Sequence, residues 1–110
     1  MPVDPLSGSS MGELFERAIA LGAGAREALA GGDRDACEPF ALRLRATVGE
    51  IAHRLDHDGG PLGGHLEAIH HYVVGGLDAA TVDLATLERI LADLVVLREA
   101  RRALGRPPGR

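Results

Sequence analysis

The stretch LATLERILADLVVLREARRAL, residues 84–104, decides the fold class. Its apolar residues recur every three or four positions, as side chains on one face of an α-helix do. They are Leu84, Leu87, Ile90, Leu91, Leu94, Val95 and Leu97. Arginines near its C-terminal end suit the negative end of the helix dipole. The stretch therefore predicts an amphipathic helix that needs an apolar surface to pack against.

Three preceding segments show the same period. Residues 11–30 place Leu14, Ala18, Leu21, Ala25, Ala28 and Leu29 on one face. Residues 35–55 do so with Phe40, Leu44, Val48, Ile51 and Leu55, and residues 62–80 with Leu62, Leu66, Ile69, Val73 and Leu77. Four such helices with short links predict an all-α fold, an antiparallel up-down four-helix bundle.

Capping and turn residues set the expected helix ends. Ser9 or Ser10 begins the first helix, with Glu13 in its first turn, and Gly31-Gly32 ends it. Asp35 and Glu38 have capping-box spacing for the second helix, which the turn signal of residues 56–61 ends. Gly22 and Gly24 each cost the first helix about 1 kcal/mol relative to alanine, so this helix must rely on its neighbours.

Length and composition predict one domain. The chain has 110 residues, which we divide into a flexible arm (1–10), the bundle (11–104) and a disordered tail (105–110). The first residues lack a basic start and an apolar run, so we expect no secretory signal. No apolar stretch approaches the roughly 20 residues that a membrane span needs. We therefore expect a cytoplasmic protein without membrane contact.

The sequence lacks the motifs of common enzymes. There is no Gly-rich phosphate loop followed by lysine and no Gly-x-Ser-x-Gly turn, and the acidic residues are scattered over polar faces. The net charge of −4 argues against a nucleic-acid partner. Cys37 is the only cysteine, and we expect it to be a small buried hydrophobe. We predict no catalytic activity and no cofactor.

The histidines leave a metal site open as an alternative. His53 and His57 are four residues apart, a spacing that points two imidazoles at one ion on a helix, and His65 offers a third ligand. Against this, His57 is expected beyond the end of the second helix. His70 and His71 are adjacent and cannot face the same way on a helix.

Apolar and small residues outside the core stripes indicate a binding function. A bundle that only has to fold needs one stripe per helix, and extra apolar positions favour shallow grooves for a partner helix. His65, Ala68 and Tyr72 flank the third stripe on one side, and His70 and Val74 on the other. Phe15 and Ile19 lie at the edge of the first stripe. The predicted partner-binding residues are Leu42, Gly49, His65, Ala68, Tyr72 and Val96.

Short motifs in a fixed order resemble the bacterial flagellar secretion chaperone FliS family. They are Leu55-Asp56-His57-Asp58-Gly59-Gly60, His65-Leu66, Ile69-His70, Tyr72 and Leu77, with Leu14-Phe15-Glu16-Arg17-Ala18 before them and Leu97-Arg98-Glu99-Ala100 after them. The resemblance covers about residues 14–101. His65 stands where the family usually has asparagine, and His70 replaces a tyrosine. The N-terminal arm, which can fold over the partner groove in the family, is shorter than usual.

The resemblance implies a cytoplasmic export chaperone. Such a chaperone binds the disordered C-terminal segment of flagellin, prevents premature polymerisation and aids secretion, with possible contacts to the flagellar export apparatus. The expected oligomeric state is a monomer or weak homodimer. A bundle that only self-associates through the same grooves is a further alternative.

Overall fold

In a computed structural model, the chain forms four helices: α1 (Met11–Ala30), α2 (Arg34–Asp58), α3 (Gly63–Gly76) and α4 (Leu84–Leu104). The structure describes residues 10–58, 63–78 and 81–104; of these, residues 55–58, 63–66, 74, 76 and 104 are described by their backbone alone. The predicted tail and all of the predicted arm except Ser10 lie outside this part of the chain. The all-helical fold is confirmed for the described residues.

The predicted start and end of α1 are confirmed. The Ser10 hydroxyl accepts a hydrogen bond from the backbone N–H of Glu13 (3.1 Å), and the backbone N–H of Ser10 donates to Glu13 Oε1 (3.3 Å). This reciprocal pair satisfies two of the N–H groups left open at a helix start. At the other end, Gly32 adopts φ +80°, a conformation that glycine accepts without strain. The two glycines thus turn the chain towards α2.

The predicted cap and end of α2 are wrong. Asp33, rather than Asp35, caps the helix, because its Oδ1 accepts from the backbone N–H of Ala36 at 2.9 Å. An aspartate at this position satisfies an open N–H, and Asp35 then lies in the first turn. The helix also continues to Asp58 instead of ending near Leu55. The next four residues, which include Gly59, Gly60 and Pro61, lie outside the described part of the chain.

Helix α3 is shorter than predicted. It ends at Gly76, because two consecutive glycines offer little helix propensity and no side chain to pack. Leu77 follows the helix but remains almost completely buried, and its N–H donates to the carbonyl of Val73 at 2.8 Å. Asp83 then caps α4 by accepting from the N–H of Thr86 at 2.8 Å.

Helix α1 packs against α2 and α4, and α3 packs against the same two helices less extensively. Gly22 lies beside Leu44 and Leu91, Gly24 lies beside Phe40, and Glu16 pairs with Arg98. Along both neighbours of α1 these contacts occur in reverse order.

The core combines residues from all four helices. Its fully buried side chains include Leu14, Phe15, Leu44, Val48, Ile51, Val73, Leu87, Ile90 and Leu94. Phe15, expected at the edge of the first stripe, is completely buried, since the neighbours of α1 cover a wider face than the stripe predicted. Cys37 is buried as predicted. Burial raises the pKa of its thiol, and the charge of Arg34 partly opposes this. The thiol is therefore kept protonated.

Replacing Gly24 by alanine is expected to destabilise the fold. A Cβ at this position would lie 2.6 Å from Cε1 of Phe40. Overpacking costs about 1–3 kcal/mol and the gain in helix propensity is roughly 1 kcal/mol, so over most of that range the net effect is destabilising. Gly75→Ala is the matched control, because a Cβ there meets nothing within 4 Å. Urea unfolding followed by circular dichroism checks this: Gly24→Ala should lower stability and Gly75→Ala should raise it. Equal stabilisation by both would contradict the tight packing.

The cap of α4 should make stability depend on pH. Hydrogen bonds from the side chain and backbone of Thr86 lower the pKa of the Asp83 carboxyl. Its contribution is therefore present above the unfolded pKa of about 3.9 and lost as pH falls through the folded pKa. Asp83→Asn keeps the cap but does not titrate. Melting temperatures from pH 7 to pH 2 should show a wild-type advantage that disappears in acid; a constant difference would refute the effect.

Candidate partner-binding surface

The predicted partner-binding residues include two large hydrophobic side chains that are exposed to solvent in the fold. Leu42 on α2 is 57% exposed and Val96 on α4 is 66% exposed. The central stripe residues of the same helices are fully buried: Leu44, Val48 and Ile51 on α2, and Leu87, Ile90 and Leu94 on α4. They are the exposed large hydrophobics of the described residues. Burying the exposed part of each side chain against a partner would stabilise a complex by about 1–2 kcal/mol. Both are therefore suited to a contact surface.

One candidate surface lies along α3 and α4. The guanidinium carbon of Arg89 lies 5.0 Å from the centre of the Tyr72 ring, so the two helices meet at this pair. Ala68 is exposed one turn before the half-buried Tyr72. Val96 follows Arg89 by seven residues, two helical turns on the same face of α4. We call Ala68, Tyr72, Arg89 and Val96 the α3–α4 surface.

A second candidate surface lies along α2 and α3. A Cβ at Gly49 would lie 3.6 Å from Nε2 of His70, so the small residue on α2 borders the imidazole on α3. Leu42 precedes Gly49 by seven residues and shares its face of α2. We call Leu42, Gly49 and His70 the α2–α3 surface. The predicted partner-binding residues therefore divide between two surfaces on either side of α3.

This division confirms one prediction about α3. Tyr72 was expected on one side of the stripe and His70 on the other, and their contacts with α4 and α2 place them so. The side chain of His65, which the prediction puts on the Tyr72 side, lies outside the described part of the structure. Its backbone belongs to α3. Arg89 was not predicted, although its seven-residue distance from Val96 was a signal for it.

For the alternative metal site, the structure places His53 and His57 on the same helix but describes no complete set of ligands. His57 was expected beyond the end of α2, and this is wrong, because α2 includes it four residues after His53. The side chain of His53 is exposed, and those of His57 and His65 are not described. Among the side chains that the structure does describe, no three His, Cys, Asp or Glu residues are grouped to hold a metal.

Ion pairs join α1 to α4. Arg98 donates to Glu16 at 2.6 Å and contacts Glu99 at 3.1 Å, and Arg102 contacts the same two carboxylates. The hydrogen bond to Glu16 is the main cause that raises the pKa of Arg98. The sequence predicted only a helix-dipole role for these arginines. The network is exposed, so its contribution to stability is small.

Comparison of the chain with protein-family models, curated proteins and solved structures finds no match. The resemblance to the FliS family is therefore carried by the residues quoted above alone. No helix in the described part of the chain is both long and apolar enough to cross a membrane.

The Tyr72–Arg89 contact should couple α3 to α4. A cation over an aromatic ring at an exposed site contributes about 0.5–1 kcal/mol. A double-mutant cycle with Tyr72→Leu and Arg89→Gln, measured by urea unfolding at low protein concentration, should return a coupling of that size. Tyr72→Phe keeps the ring face and serves as the control, which should retain the coupling. Purely additive single effects would show that the pair contributes nothing.

Proposed function

We propose that this chain is a FliS-like export chaperone that acts in the cytoplasm without catalysis. Its partner is the disordered C-terminal segment of flagellin, which it keeps from polymerising before secretion. The observation that carries the proposal is the pair of exposed hydrophobic side chains, Leu42 and Val96, on a four-helix fold. The order and spacing of the family-like motifs supply the identity of the partner.

An antiparallel up-down arrangement is part of the proposal. The reversed contacts of α1 with α2 and α4 support it, as does the short interval between α2 and α3. If α3 also runs opposite to α4, the Tyr72–Arg89 contact brings the N-terminal end of α3 level with Val96. Ala68 and Val96 then border one groove on the α3–α4 surface.

Surfaces that run along the boundaries between helices suit a disordered partner. A flexible segment can lay successive apolar side chains along a helix groove and become helical as it binds. Its ordering costs a few kcal/mol, so the complex stays releasable despite a large buried area. The two surfaces flank α3, and a segment of sufficient length could contact both in turn. An export chaperone needs this combination of coverage and release.

A synthetic flagellin C-terminal peptide should bind the chain in isothermal titration calorimetry, with a dissociation constant in the micromolar range. Val96→Asp and Leu42→Asp should each weaken binding about tenfold or more, because a carboxylate in an apolar contact must be desolvated. Low micromolar protein keeps self-association from contributing to the measured heats.

Ala20→Asp provides the matched control, since it places the same charge on an exposed position of α1. It should leave the affinity unchanged. Absence of binding at tens of micromolar would refute flagellin as the partner. Equal weakening by all three variants would refute the two surfaces as the binding site.

A further inference from the structure

The outer face of α4 carries a continuous stripe that no described part of the chain covers. It consists of Ala85, Arg89, Ala92, Val96, Glu99 and Ala103, and each of these residues is exposed. Their spacing alternates between four and three residues, the spacing that keeps side chains on one line of a helix facing a second helix. We call this stripe the α4 outer face. The core side of α4, by contrast, is formed by Leu87, Ile90, Leu94 and Leu97.

The side chains of the α4 outer face are mostly small. Three of the six are alanines, and Val96 is the single larger apolar group. Small residues let a second helix approach to an interaxial distance of about 8 Å, the short end of the usual range. Arg89 and Glu99 are the only charged members of the stripe, and their charges are opposite. The α4 outer face thus allows a second helix to approach closely and carries one positive and one negative side chain.

The stripe is complementary to itself when it is reversed. Position 94 is the midpoint of three pairs: Ala85 and Ala103, Arg89 and Glu99, Ala92 and Val96. Two antiparallel copies of α4 centred there would set each arginine opposite a glutamate and each valine opposite an alanine. A parallel pair would instead set like charges opposite each other, which is repulsive. The two charges therefore favour the antiparallel orientation of the second α4.

We propose that the α4 outer face docks against the same face of a second copy, giving an antiparallel dimer with its two-fold axis level with residue 94. Such an interface is isologous, so each favourable contact occurs twice. Arg89 would bridge the Tyr72 ring of its own chain and Glu99 of its partner. Glu99 already contacts Arg98 and Arg102 within the chain, so the contact extends an existing network.

The dimer should be weak and reversible. The stripe spans 18 residue steps, about 27 Å of helix, and a single pair of helices with small side chains buries less than a permanent interface needs. Val96 also belongs to the α3–α4 surface, so a bound segment and a second copy compete for it. The dimer does not depend on flagellin being the partner.

Charge-reversal variants, measured singly and mixed, test the proposal. Their self-association is measured by sedimentation equilibrium at protein concentrations from about 10 µM to about 1 mM. Wild type should dimerise within this range. Arg89→Glu alone and Glu99→Arg alone should each associate at least tenfold more weakly, because like charges then meet at both symmetric contacts. An equimolar mixture of the two variants should regain wild-type association, since a heterodimer places opposite charges at positions 89 and 99 of facing chains.

The mixture distinguishes a role of Arg89 and Glu99 in the interface from a role in the folding of their own chain. A folding defect within each variant could not be repaired by adding the other variant. Arg45→Glu makes the same charge change at an exposed position of α2 and should associate as wild type does. A wild type that stays monomeric to 1 mM would overturn the proposal. So would a mixture no more associated than either variant alone, whatever the calorimetric result with the flagellin peptide.

Discussion

The close approach of α1 to its two neighbours is the constraint on which the rest of this structure depends. Gly22 leaves room for Leu91 of α4 and for Leu44 of α2, and Gly24 leaves room for the ring of Phe40. Any larger residue would force the Leu91 or Phe40 side chain to shift, so these positions give up helix propensity in order to allow close interhelical contact. Among the described residues, α1 consequently forms the most extensive contacts, and α3, which packs there against α2 and α4, is held less tightly.

This unequal packing explains where the two candidate surfaces lie. The inner sides of α2 and α4 are occupied by α1, so their remaining apolar residues face outwards or border α3. Leu42 and Val96 stay exposed for this reason. At the boundaries of α3, where the helix packs less extensively than α1 does, Arg89 lies over the Tyr72 ring and His70 borders Gly49. A partner helix competes more easily with such sparse contacts than with a packed core. The less tightly held third helix is thus the natural neighbour of a binding groove.

The charged residues of α4 take part in two kinds of contact. Glu16, Arg98, Glu99 and Arg102 form an exposed network that joins α1 to α4. Arg89 contacts Tyr72 on the α3–α4 surface and also belongs to the α4 outer face, which it shares with Glu99 of the network. Because Val96 is shared in the same way, the two proposed partners, a disordered segment and a second copy, are mutually exclusive along part of α4. Self-association would then cover exposed apolar surface while no segment is bound.

The sequence by itself determined the fold class, the limits of α1 and α4 and most of the core, because apolar periodicity and local caps act within a few residues of their own position. It also determined that Tyr72 and His70 face different neighbours. Only the tertiary structure decided that Phe15 is fully buried, that Asp33 rather than Asp35 caps α2, and that α2 continues to Asp58. It also decided that Arg89 meets Tyr72 and that Glu16 meets Arg98, and it divided the candidate site between two surfaces. Those outcomes depend on which helix lies beside which, and side chains distant along the chain meet only once packing has chosen the neighbours.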